Sequence, residues 1–110
     1  MTHLDTVEAA QSAVAAHPER PASAVIHDSP DARLVVFRIA PGQEVAPHRS
    51  KSSVTLIVLK GSGLISGDGE EARCTRGHVV TYEPNELHGM KADTEELLLL
   101  ATISPRPGSR

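Results

Sequence analysis

Gly77-His78-Val79-Val80-Thr81-Tyr82-Glu83-Pro84-Asn85-Glu86-Leu87-His88 reads as a strand, a turn and the approach to a second strand. Residues 78–82 are rich in Val and Thr, which suit a pleated, half-buried surface. Pro84-Asn85 interrupts them, because Pro offers no amide to a strand ladder and Asn tolerates the left-handed backbone of a tight turn. A further run, 88–92, follows and ends at Asp93-Thr94. The same alternation extends outward in both directions. Upstream, runs at 23–27, 33–39, 54–60, 64–66 and 71–75 are separated by Asp28-Ser29-Pro30-Asp31, Pro41-Gly42, Gly61-Ser62-Gly63, Gly67-Asp68-Gly69 and Arg76-Gly77. Downstream, a long run covers 95–104. Many short strands with Gly and Pro between them predict an all-β sandwich or barrel. No helical segment intervenes, which argues against parallel βαβ units.

The N-terminal segment differs. Leu4, Val7, Ala10 and Val14 recur at helical spacing, so a helix is predicted over 4–16, with Asp5 and Glu8 as a capping box and Pro18 and Pro21 ending it. The chain thus divides into a helix and linker (1–21), a β-barrel (22–104) and a polar, proline-rich flexible tail (105–110).

Composition narrows the function classes. At 110 residues the chain is the size of one domain. A net charge of −3 and the absence of any Lys/Arg run argue against a nucleic-acid partner. The longest apolar run, Leu97-Leu98-Leu99-Leu100-Ala101, is far short of a membrane span, and no signal-peptide pattern opens the chain. The single cysteine, Cys74, fits a reducing compartment and reads as a small core residue, so a cytoplasmic location is expected. Tyr82 and Phe37 are the only aromatics, too few for a base-stacking platform.

Two spacings resemble the motifs of the cupins. In the first, the family has a glycine, five residues, His-x-His, three or four residues, a Glu, six residues and a glycine; here Gly42, His48 and Gly61 fall in place. In the second, Gly77 and His88 stand at the family's glycine and histidine, with Glu83 at its proline position and Asn85 at its turn glycine. The resemblance covers about residues 33–104 and implies a small single-domain cupin: a double-stranded β-helix or jelly-roll barrel with a short N-terminal helix. It also implies a degenerate metal motif. Metal-binding cupins use three histidines and one glutamate, and this chain has Ser50 for the second histidine and Val54 for the glutamate.

Side-chain alternation puts His48, Ser50 and Val54 on one face of an unbulged strand, and His88 and Met90 likewise. These five residues are the predicted lining of an interior pocket for a small-molecule ligand. His48 and His88 are the candidate ligands for one divalent metal (Zn, Fe, Ni, Mn or Cu), with a third donor required from His27, Glu44 or His78. Three readings stay open: a ligand-binding barrel, a mononuclear metal enzyme of the dioxygenase, isomerase, decarboxylase or lyase kind, and a metal-free acid–base enzyme using His48 or His88. The Leu97–Leu100 run is apolar on both faces and must be covered on both, by the N-terminal helix or by a second subunit; the resemblance favours a homodimer.

Overall fold

The computed structural model describes residues 1–108. One helix, α1 (Thr6–Ser12), precedes nine strands: β1 (Ala22–Asp28), β2 (Arg33–Ile39), β3 (Glu44–Arg49), β4 (Ser53–Lys60), β5 (Ser62–Ser66), β6 (Glu71–Thr75), β7 (Val79–Tyr82), β8 (Leu87–Ala92) and β9 (Leu97–Ser104). They form a five-stranded sheet, β1-β2-β9-β4-β7, facing a four-stranded sheet, β3-β8-β5-β6. All the strand pairings are antiparallel. This is the expected all-β jelly roll, built as two facing sheets rather than one closed ring of strands.

Strand β3 was not among the predicted runs. It contains Pro47, which normally argues against a strand, but β3 lies at the edge of its sheet, where a missing amide costs no ladder bond. The helix is shorter than the predicted 4–16. Asp5 caps it by accepting from the Glu8 amide, and it stops at Ser12 because Ala13 turns extended. The Arg38 guanidinium takes the Ala13 carbonyl at 2.7 Å, which fixes the chain as it leaves the helix.

Strand β9 is the centre of the packing. It sits between β2 and β4, and its side chains serve both sides of the sheet. Leu97, Leu99 and Ala101 point between the sheets, into a core with Val35, Ile39, Leu56, Val58, Ile65 and Met90. Leu98 and Leu100 point outward and meet α1, where Ala10, Val36 and Leu98 are buried together. The helix therefore covers the face that the four-leucine run requires to be covered. Burying one such leucine contributes about 2–3 kcal/mol. The start of the predicted tail is tied down: Ser104 donates to the Asp31 carbonyl and Ser52 to the Pro105 carbonyl. Ser109 and Arg110 lie outside the described residues.

Gly61, which closes the first motif, has a φ of +84°, and a side chain there would run into the Glu96 backbone carbonyl. Only glycine meets both demands. We expect Gly61→Ala to cost at least about 2 kcal/mol and Leu98→Ala about 2–5 kcal/mol in urea unfolding. A loss under about 0.5 kcal/mol at Leu98, the ordinary range of surface substitutions, would show that α1 does not seal the outer face.

Candidate ligand pocket

The site begins with an irregularity. Strands β3 and β8 pair Val45 with Met90 and His48 with His88, so Ala46 and Pro47 together stand opposite Gly89. This is a β-bulge. In a regular strand, residues three apart face opposite ways; the extra residue resets the alternation. Val45 thus packs against the core while His48 also turns inward, to line the cavity. Gly89 permits it, since a Cβ there would lie 3.2 Å from Pro47 Cγ and 3.0 Å from Ser66 Oγ.

The turn before β8 locks the two histidine strands together. Asn85 has φ 71°, the left-handed turn expected at that position. Its amide donates to the Ser50 carbonyl at 2.7 Å, and Arg49 donates to its carbonyl at 2.7 Å. Arg49 also pairs with Asp68, whose carboxylate accepts from the Leu87 amide. The residue before His88 and the residue after His48 are therefore held by one network.

The His48 and His88 rings meet edge to face, with centroids 4.1 Å apart. Each is oriented from behind by a backbone carbonyl: His48 Nδ1 lies 3.1 Å from the Ala46 oxygen and His88 Nδ1 lies 3.2 Å from the Glu86 oxygen. A carbonyl only accepts, so both Nδ1 atoms carry the hydrogen of these contacts, which leaves Nε2 as the acceptor of a neutral ring. Among the described residues, Arg38 Nε is the only sealed side-chain nitrogen or oxygen without a partner. The Nε2 of His88, although the residue is only 4% exposed, therefore opens onto the cavity. His48 is exposed and sits at the mouth.

The cavity holds about 260 Å³ and is lined by all five predicted residues, His48, Ser50, Val54, His88 and Met90. They do not share strands as alternation implied. The bulge and the break between β3 and β4 place Ser50 in a turn, where its hydroxyl accepts from the Ser52 amide, and put Val54 on the opposite sheet. Phe37, Leu56, Ala101 and Ile103 complete an apolar wall that the sequence reading did not assign. Their signal was present: each alternates in phase with buried residues of its own strand. Pro107, from the tail, also lines the cavity and left no such signal.

Behind His88 stands Tyr82, its ring centroid 5.0 Å away. Its hydroxyl donates to the Ser66 carbonyl at 2.7 Å, a bond between the two sheets, and burial pushes its pKa up to about 12. Tyr82 is thus a fixed wall rather than a proton donor.

The model of the Cupin domain family matches residues 35–104. The chain belongs to the cupin family. Among solved structures, this cupin is similar to a Thermus thermophilus protein (TM-score 0.86, 23% identity, 97% of this chain and 100% of that one). It is also similar to an RmlC-like cupin from Desulfovibrio desulfuricans (TM-score 0.75, 30% identity, 86% and 91%). A predicted oxalate decarboxylase from Thermotoga maritima shares the fold (TM-score 0.72, 22% identity, 77% and 80%). No curated protein matches the chain.

The residues present do not fit a resident metal centre. Among the described residues, no three His, Cys, Asp or Glu side chains gather in a metal-holding group. The third donor expected from His27, Glu44 or His78 is not there. Because Val45 faces the core, Glu44 faces out, opposite Lys91. His78 is exposed and accepts from the Thr75 amide, and His27 is exposed on edge strand β1. Two imidazoles remain, fewer than the three protein ligands of a catalytic zinc site.

Burial lowers the His88 pKa below 6.5, the neighbouring His48 adds to this, and the bond to the Glu86 carbonyl opposes it. Between 6.5 and the lower folded value, the unfolded chain binds a proton that the folded protein does not. Stability is therefore level above that window and falls as pH drops through it. In chelator-treated protein, NMR titration should place His88 below 6.5, and His88→Gln should flatten the acid loss of stability. A His88 titrating at or above 6.5 would refute its burial as the dominant influence.

Proposed function

We propose that this cupin binds a compact, mostly apolar small molecule in the cavity, with a hydrogen-bond donor of that molecule held by the Nε2 atoms of His48 and His88. One observation carries this reading: two imidazoles, each with Nδ1 fixed by a backbone carbonyl, border a pocket walled by Phe37, Val54, Leu56, Met90, Ala101, Ile103 and Pro107, with Ser50 and Arg49 as its other polar lining. Such a pocket favours a ligand with an apolar body and one hydroxyl or acidic hydrogen. Apolar walls supply the binding free energy, and a few placed polar groups set orientation. At about 260 Å³ the space suits a ligand smaller than a drug-sized molecule. Val54 matters to the ligand class. At the family's glutamate position it removes a negative charge, so the site carries no carboxylate of its own to attract a cation or repel an acid.

The reading is tested with matched fragments: phenol and cyclohexanol against toluene and methylcyclohexane. Binding is followed by NMR shifts of the imidazole nitrogens and of the Val54 and Met90 methyl groups. The hydroxyl compounds should move both Nε2 resonances. His48→Ala/His88→Ala should weaken them at least about tenfold, the combined loss of two hydrogen bonds. The hydrocarbons should bind wild type and double variant alike. Equal binding of hydroxyl compounds and hydrocarbons to the wild-type protein would overturn the role given to the histidines. Near-stoichiometric metal in the purified wild-type protein, absent from the double variant, would replace this reading with a metal centre.

A further inference from the structure

We propose that Ala101 is the floor of the His48/His88 pocket and sets the length of the ligand that fits it. The pocket runs along the strands rather than across them. On β9 the inward-facing side chains are Leu97, Leu99, Ala101 and Ile103. The two leucines are fully buried in the packed core, and the last two residues line the cavity. Strand β4 repeats the order. Val58 lies opposite Leu99 in the core, Leu56 opposite Ala101 and Val54 opposite Ile103, and of these three only Leu56 and Val54 line the cavity. Beyond them the lining reaches Ser50 and the exposed His48. The cavity therefore has a closed end at Leu56 and Ala101, which are 1% and 2% exposed, and an open end at His48.

Ala101 breaks the size pattern of its strand. Protein interiors close to the density of organic crystals, and side chains as large as leucine fill that space at 97 and 99. A third leucine at 101 would continue the series. The Ala101 side chain has Val35 and Leu56 directly beside it on the neighbouring strands and Leu99 packed behind, so a longer side chain would extend into the cavity. The space thus follows from the choice of side chain and not from the path of the backbone. An apolar void costs stability that filling it recovers. Its size says what it takes. An apolar cavity of about 150 Å³ suffices for benzene, and this one holds about 260 Å³. The ligand class is a single ring or short chain with its polar donor toward the histidines and an apolar tail of a few carbons reaching Ala101. This inference rests on the cavity being a small-molecule pocket, but it concerns the end of the ligand away from the imidazoles.

Two series of probes test it: phenol with its para-methyl, para-ethyl and para-propyl derivatives, and benzene with toluene, ethylbenzene and propylbenzene. Affinities are read by titrating the Val54 and Met90 methyl resonances in the wild-type protein, Ala101→Val and Ala101→Leu. In the wild type each added methylene should tighten binding about fourfold, the gain from taking one CH₂ out of water. Ala101→Leu should hold phenol and benzene within about twofold of wild type and bind both propyl compounds at least about tenfold more weakly, the loss of two methylenes of contact. Ala101→Val should fall between. The hydrocarbons have no group for the imidazoles, so a failure confined to the phenols would count against the histidines and leave the floor standing. Unchanged affinities in folded Ala101→Leu, or an equal loss along each series, would overturn the floor alone. No binding of either series to the wild-type protein would overturn floor and pocket together. Urea unfolding supplies the independent check. Filling a space should not lower the midpoint, and a lower midpoint in both variants would show that Ala101 faces packed protein instead. If Ala101→Leu does not fold, the same comparison in Ala101→Val decides.

Discussion

The bulge at Ala46-Pro47, opposite Gly89, is the constraint on which the site depends. Without it His48 would face solvent and His88 would have no partner. Three residues suit the device. Pro47 is tolerable because β3 is an edge strand and has no neighbour waiting for its amide. Gly89 keeps clear a position where a side chain would crowd Pro47 and Ser66. Asn85 tolerates the positive φ of the turn into β8, where its amide donates to Ser50. Each is a local cost. Together they set two imidazoles edge to face at the mouth of an apolar cavity. Bulges recur beside functional sites for this reason, since they turn a side chain without moving the sheet.

The fold and the site were legible in the sequence to different degrees. The strands other than β3 announced themselves as short runs between turn residues, β-branched in β1, β2, β4 and β7, because a sheet with one buried face favours that pattern. The spacing of Gly42, His48, Gly61, Gly77 and His88 singled out five residues, His48, Ser50, Val54, His88 and Met90, that line one cavity. The route was different. Simple alternation put His48, Ser50 and Val54 on one strand face, whereas a bulge, a turn and a second sheet bring them together. Proline rules hid β3, since whether a strand is central or at an edge is a property of the sheet and not of the segment. The missing third metal donor was equally out of reach, because which of His27, Glu44 and His78 converge depends on strand order and on a shift of one residue in register.

The electrostatics of the pocket follow from what replaced the family's ligands. With Val54 and Ser50 in place of a carboxylate and an imidazole, the cavity lining offers no carboxylate to a positive charge. Burial then outweighs the Glu86 carbonyl and favours the neutral form of His88. A neutral ring whose Nδ1 hydrogen is committed to a backbone carbonyl can only accept at Nε2, so the pair asks for a donor. Tyr82 is held by the Ser66 carbonyl, and Arg49, which also lines the cavity, is engaged with Asn85 and Asp68. Among the described residues neither they nor Ser50 bond to the imidazoles, so the acceptors are left for a ligand's donor.

The same strand that centres the core also walls the cavity. β9 places Leu97 and Leu99 in the core and Leu98 under α1, so it is gripped on both faces along its first half. Farther along, Ala101 belongs to the same core, with Ile103 packed against it, and both also line the cavity. One strand therefore supplies the packed interior and the apolar wall of the pocket, so the wall is as fixed as the core it continues. The histidines face that wall from the other sheet, held by their own carbonyls and by the Asn85 turn.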